Sequence, residues 1–390
     1  MSYKINLSEL LSHFDNKTFD EIKNSEEINK LIKIKEKNTE QFENLFLVTA
    51  CDTNSNGENY PSLVDNTYYQ ANGLILEKNT NKIVCACQNK LRELNSETEA
   101  KELLIKNKKC KTRVEYCEDG TIIRLYNYNN QWLTATTRCI DARDSYWSSD
   151  KTFDTMFWQT FDNNLLDTLD KNFTYIFVLL HEENRIVVKH KLNMLVYVSR
   201  IDNTTLIEDY NNIFTNVYNM KRPRFILYID FDKIKEFYNP MKRGIIIKIL
   251  DSNTNVWNSY KYDFDEYKYI KQIRGNVPEI RNRYIELYSD LNAQQQLEKY
   301  YNEYNFTFSM IKKAIVSLIH EIYKLYIESH IKHSVKIEED HIYYRTLRQL
   351  HAQYKVTNKP IKFMDVQEKI FKMDKNIVRT LLGWEKKIIN

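Results

Sequence analysis

The residues whose types and spacing could do chemistry are concentrated at Cys117-Glu118-Asp119-Gly120. A thiolate of lowered pKa is a good nucleophile, and Cys117 could in principle attack phosphorus. Beside Asp119, however, it would meet a phosphate as one anion meeting another, and no metal ligand to compensate is evident nearby. Taken alone, Asp-Gly is also a strong turn dipeptide in any sheet. Arg124 and Arg138 follow on adjacent strand-like runs, where they could contact phosphates or pair with Asp141, Asp144 or Glu118. Arg243-Gly244 opens an apolar run ending in Lys248, and Lys268 and Lys271 lie in the YKYIK segment at 267–271.

The elements that must position these residues are mostly strands. Ile122–Leu125 and Trp132–Thr136 predict a hairpin turning at Asn127–Asn130. GLILE and KIVCAC around a Lys-Asn-Thr-Asn turn predict a second one. FTYIFVLL (173–180), RIVVKH (185–190), Leu195–Ser199, Phe225–Ile229 and RGIIIK (243–248) are further expected strands, and LFLVTA (45–50) is the first. Apolar residues at Phe153, Met156, Phe157, Phe161, Leu165 and Leu169 give one helical face. Residues 5–44 are expected to be mainly helical, 52–65 an exposed loop, and 96–111 a helix followed by a lysine-rich loop.

Near residue 285 the character changes, with one glycine (Gly383), one proline (Pro360) and helical periodicity from there on. Ile311, Ala314, Ile315, Leu318, Ile319, Ile322 and Leu325 form one stripe. Asp374 can cap a last helix that stops at Gly383. Residues 291–390 carry 17 Lys+Arg against 11 Asp+Glu, whereas the whole chain has a net charge of only +4. A basic tail is what a polyanion-binding appendage or a solvated helical surface would have.

The six cysteines all fall within the first 139 residues, without CxxC spacing or a following histidine at zinc-ligand spacing, so no metal site is expected. The scattered histidines, among them His330 and His333, have no supporting carboxylate set. No apolar run approaches the ~18 residues of a membrane span, and the N-terminus lacks a signal-peptide core. The expectation is a cytoplasmic, reduced, soluble protein with no membrane partner. The abundance of Asn, Lys, Ile and Tyr fits an AT-rich coding genome.

In order, these segments resemble the RNA ligases typified by the first RNA ligase of phage T4, over roughly 69–271. NGLILEKNTNKIVCACQNKL is similar to the family's pre-motif hairpin, CEDG to motif I (Lys-x-Asp-Gly) and FTYIFVLLHEENRIVV to motif III. RGIIIK is similar to motif IV (Glu-Gly), and YKYIK sits where motif V supplies lysines. The resemblance implies an α+β fold: a nucleotidyltransferase (ATP-grasp-like ligase) core of mixed, mainly antiparallel sheets, then a helical domain. The implied division is a helical segment at 1–45, the nucleotidyltransferase-like domain at 46–285 and helices at 286–390.

In the family a neutral motif I lysine attacks the α-phosphate of ATP. Carboxylates of motifs I, III and IV position ribose and metal. Here Cys117 replaces the lysine, Val178 stands at the motif III glutamate, Arg243 replaces the motif IV glutamate, and Asn72 precedes Gly73 in place of arginine. A cation at 243 also works against Mg²⁺. The expectation is therefore a degenerate RNA ligase-like protein, suited to a large DNA virus and located in a viral factory or virion if so. It would bind RNA or a nucleotide through Asp119, Gly120, Arg124, Arg138, Phe177, Gly244, Lys248, Lys268 and Lys271, or act as a subunit of a larger assembly. Phe177 is a candidate for stacking adenine, with core packing as the alternative. Alternatives for the whole chain are an active RNA ligase or capping guanylyltransferase with another lysine, using ATP and Mg²⁺, and a structural protein that docks a partner through its helices.

Overall fold

The computed structural model describes residues 2–4, 7–51, 71–226, 242–253 and 256–384. The loop expected at 52–65, and the expected strand at 225–229 beyond residue 226, lie outside these. The chain divides into two compact units, 1–271 and 272–390, so the division falls earlier than the composition change near 285. Within the second unit, helix Ile280–Glu286 already packs with the long helix, Tyr284 stacking on Phe308 at 4.5 Å.

The first unit contains three sheets among the described residues. The largest runs β1 (Ser2–Lys4), β12 (Ile207–Asp209), β11 (Met194–Asp202), β10 (Phe173–Leu180), β8 (Thr121–Tyr128), β9 (Gln131–Ala135), with β13 (Met220–Lys221) also on β11. A second runs β6 (Arg92–Glu93), β15 (Val256–Asp263), β14 (Gly244–Asp251), β7 (Thr112–Cys117). The third runs β2 (Ile32–Glu36), β3 (Leu45–Ala50), β4 (Asn72–Glu77), β5 (Ile83–Cys85). Pairing is antiparallel except β11 with β13 and β15 with β6. This is the mixed α+β architecture expected.

Strand alternation assigns the faces. On β10, Tyr175, Phe177 and Leu179 enter an aromatic core against helix Phe153–Thr160, whose Met156 and Phe157 are fully buried. Ile176 belongs to the opposite core, against which Val178 packs. The Phe153 helix starts at a Thr152 cap, the side chain accepting from Thr155 N, and gives way to a 3₁₀ turn at Asn163–Thr168.

Two expectations are corrected. Ile32–Glu36 is a strand paired with β3 rather than a continuation of a helix, because its alternating Ile-Lys pattern buries one face. RIVVKH forms no strand; β10 pairs instead with β11, and the amides of Val187 and Val188 serve a carboxylate. YKYIK lies within the helix Asp265–Arg274. In the second unit Ile311, Ile315, Leu318, Ile319 and Ile322 are buried along Asn305–Tyr326, and Asp374 caps Lys375–Leu381.

Arg124, expected near phosphate, is instead a tie between sheets. It is 1% exposed. Its guanidinium donates to the carbonyls of Gly73, Ala86 (3.3 Å) and Thr136 (2.6 Å), fastening the β4–β5 hairpin to the segment that follows β9. Gly73 permits this approach: its φ is +95° and an added Cβ would lie 2.5 Å from Thr137 O. Arg124→Met leaves three carbonyls unsatisfied, and urea unfolding should record a loss of more than about 3 kcal/mol.

Candidate functional site

Strands β7 and β8 are consecutive in sequence but belong to different sheets. Glu118-Asp119-Gly120 is the crossing, so Asp-Gly is not a simple hairpin turn here. Asp119 is buried, and its carboxylate is fully engaged. One oxygen accepts from Val187 N (3.0 Å) and Val188 N (2.8 Å), the other from the Tyr267 hydroxyl at 2.6 Å. Its carbonyl meets His190 Nε2 at 2.6 Å. Gly120 is required by space: a Cβ would sit 2.4 Å from Leu179 O and 2.8 Å from Val178 Cγ1.

Register fixes the other side of the crossing. Cys117 faces Gly244, Glu115 faces Ile246 and Arg113 faces Lys248 across β7 and β14. Gly244 in turn faces Asp263 on β15, where a Cβ on Gly244 would meet Tyr262 O at 2.0 Å. Between this sheet and the large one lies a cavity of about 290 Å³. Ile122, Val178, Val196 and Val198 line it from one side, and Glu115, Cys117, Arg243, Lys248 and Lys261 from the other. The four positions where the sequence departs from the ligase motifs, Asn72, Cys117, Val178 and Arg243, therefore converge on one cavity.

Its charges are paired within the protein. Glu115, 2% exposed, holds Lys248 Nζ at 2.9 Å and Arg113 Nε at 3.1 Å. Arg243 Nε meets Asp263 at 3.0 Å, while Lys261 Nζ meets Glu93 at 2.9 Å and Asp263 at 3.4 Å. Glu208 accepts from Gln88 (2.6 Å), Ser199 (2.5 Å) and Tyr210 (2.7 Å). Burial alone would raise the Glu115 carboxyl, but Lys248 and Arg113 hold it below the usual carboxylate range. Burial pushes the Cys117 thiol up to about 11, with Arg243 opposing and Asp263 and Asp119 reinforcing. Cys117 is thus a neutral thiol at physiological pH. A divalent metal does not fit: the cavity carboxylates are taken by protein donors, and no group of three or more His, Cys, Asp or Glu able to hold a metal occurs among the described residues.

Of the expected site residues, Gly120 and Lys248 line the cavity, Gly244 borders it, and Asp119 braces it from outside. Phe177 does not reach it; its ring is buried among Phe157, Phe161, Tyr197 and Phe214 on the other face of β10. Arg124 ties the hairpin, and Arg138 is exposed away from the cavity. The acids offered as their partners are taken elsewhere, Asp141 and Asp144 by Lys37 and Glu118 by Lys221. Lys268 donates to Asn95 O at 2.7 Å from its helix, and Lys271 is exposed on the same helix. Lys261, two residues before Asp263 on β15, lines the cavity together with Lys248. Period-two alternation in RVEYC and SYKYD was the available signal for Glu115, Lys261 and Asp263.

No family model matches the chain. It is 24% identical over 268 residues to an immediate-early protein ICP-46 homolog of Invertebrate iridescent virus 6, a match spanning 61% of this chain and 57% of that one. A homolog from Invertebrate iridescent virus 3 is 25% identical over 249 residues, 59% and 54% of the two chains. The chain thus spans little more than half the length of these curated relatives. An RNA ligase of Rhodothermus phage RM378 is 34% identical over 84 residues, 19% of each chain. Among solved structures, an archaeal ATP-dependent RNA ligase aligns at 9% identity over 96% of this chain and 88% of its own, with a TM-score of 0.41. The chain is therefore similar in sequence to viral proteins, a phage RNA ligase among them. No described helix is long and apolar enough to cross a membrane.

Two outcomes test this geometry. At pH 8, a maleimide or iodoacetamide time course with peptide mapping should label exposed Cys110 well before Cys117. Replacing Glu115→Gln should cost about 3 kcal/mol by leaving buried Lys248 and half-buried Arg113 without their carboxylate. Because the folded-state pKa of Glu115 is depressed, its stabilisation is complete above the ordinary value of about 4.3 and fades as pH falls through the folded value. The variant's unfolding free energy should accordingly depend less on pH below about 4.3 than the wild type's.

Proposed function

We propose that this chain is a nucleotidyltransferase-like protein of RNA ligase descent that has lost lysine-dependent nucleotide transfer and acts by binding RNA. The observation that carries the reading is the convergence of Cys117, Val178 and Arg243 on one cavity. The resemblance expects a nucleophilic amine and two metal-binding carboxylates there. What stands there is a neutral thiol, an apolar side chain and a cation paired to Asp263. Attack on phosphorus needs an available nucleophile and relief of the phosphoryl charge, and these three residues supply neither. The sequence likeness to a phage RNA ligase over 84 residues supports the descent. The basic residues beside Cys117 support a polyanionic ligand.

The competing reading is an active ligase or guanylyltransferase with another lysine as nucleophile. Lys248 and Lys261 are cavity-lining amines that favour it. Both are ion-paired with protein carboxylates, so either would first have to leave its partner.

Restoring the lysine alone should not restore chemistry. Cys117→Lys incubated with α-labelled ATP or GTP and Mg²⁺ or Mn²⁺ should carry no label after denaturation, because positions 178 and 243 still lack carboxylates. The wild type should bind single-stranded RNA with log K falling linearly against log salt. A labelled wild-type band abolished by Lys248→Ala or Lys261→Ala would establish the active ligase, and no RNA binding at low salt would remove the RNA-binding role.

A further inference from the structure

The positive charge of the second unit is not spread evenly over its helices. On two of them exposed cations meet acids: Lys312 pairs with Glu298, Lys324 with Glu328 and Lys372 with Glu368. The helix Tyr344–Thr357 differs, since YRTLRQLHAQYKVT holds Arg345, Arg348 and Lys355 and no Asp or Glu. All three are exposed, and among the described residues none of them has an ion pair. Of the acids just before this helix, Glu338 pairs with Lys336, Glu339 accepts from the Tyr344 hydroxyl at 3.1 Å, and Asp340 is exposed.

Packing turns the three cations outward together. Thr346, Leu347 and Leu350 are the buried residues of the helix. At 3.6 residues per turn the cations fall on the opposite side, within about a quarter turn of one another, and extend about 15 Å along the axis. Gln349 and Ala352 are exposed beside them. Arg345 and Arg348 are neighbours one turn apart, so their like charges repel. Arg348 Cζ lies 5.7 Å from the Tyr344 ring centroid, which offsets part of that. The uncompensated field also reaches inward, to a His330–His351 pair with ring centroids 4.6 Å apart. Burial, followed by the Lys355 charge, lowers the His351 pKa, and His333 adds to the effect. An anion along the exposed face would relieve these repulsions.

We propose that Arg345, Arg348 and Lys355 form a track for the phosphate backbone of single-stranded RNA on this helix. The inference rests on the RNA-binding reading and adds a named contact surface to it. Guanidinium groups match phosphate oxygens bidentately, and the Gln349 amide can donate or accept at a ribose or base edge. A protein partner fits less well, because protein interfaces have apolar cores. Val356, 86% exposed, is the one large apolar side chain that this helix exposes.

The test is fluorescence anisotropy of labelled single-stranded RNA with the full chain across a salt series. The helix variant Arg345→Gln/Arg348→Gln/Lys355→Gln is compared with wild type and with a control, Lys312→Gln/Lys324→Gln/Lys372→Gln. The control removes the same charge from ion-paired lysines. Thermal unfolding confirms that each is folded, as expected for glutamine at exposed helical positions. Each single-strand phosphate contact contributes about 0.7 to the log–log salt slope, so the helix variant should lose about 2 of it. Its low-salt affinity should fall about tenfold or more, while the control keeps the wild-type slope. A control that weakens binding as much as the helix variant makes net charge the cause and overturns the track. A folded helix variant with wild-type affinity and slope overturns the track and leaves RNA binding standing. If that variant instead loses a polyglutamate peptide that wild type binds, the face belongs to an acidic protein and the RNA assignment falls. A wild type that binds no RNA at low salt overturns the track and the RNA-binding reading together.

Discussion

The structure of the first unit depends on how the chain crosses between two sheets at Glu118-Asp119-Gly120. The buried Asp119 carboxylate makes that crossing possible, accepting two main-chain amides from the segment after β10 and the hydroxyl of Tyr267 from the helix after β15. Three chain segments far apart in sequence are thereby held at one point. Gly120 and Gly244 permit the close approach, since any side chain at either would collide with a neighbouring carbonyl. Cys117, Val178 and Arg243 face one another because of this packing.

Electrostatics then sets the character of the inter-sheet cavity. Around the inter-sheet cavity Lys248 and Arg113 are matched by Glu115, Arg243 by Asp263, and Lys261 by Glu93 and Asp263. Buried charges of this kind must be paired to repay their desolvation, and once paired they offer little to a phosphate.

Much of this was legible in the sequence. The alternation in FTYIFVLL and GIIIK, the paired hairpins and the apolar stripe of the long helix report short-range periodicity, which survives in the fold because one face of each element is buried. Period two also implies that Phe177 and Val178 cannot share a face, so a cavity-facing Val178 excludes Phe177 as a platform. Long-range partners were not legible. RIVVKH has the composition of a strand, but its amides are recruited by Asp119, 68 residues away for the nearer bond. Arg124 looked like a phosphate ligand because nothing local reveals that three carbonyls converge on it. Motif V fell on Lys268 and Lys271 because YKYIK repeats the lysine-aromatic pattern of SYKYD, and only strand pairing shows that Lys261 reaches the cavity.

The central claim, a ligase-like site that binds without reacting, is tested most directly by the intact mass of the full chain. The protein would be incubated with ATP or GTP, a divalent metal and RNA, then denatured and weighed. The account predicts an unmodified mass under every combination. A population heavier by one nucleotidyl group, mapped by peptide sequencing to a lysine of the inter-sheet cavity, would contradict it.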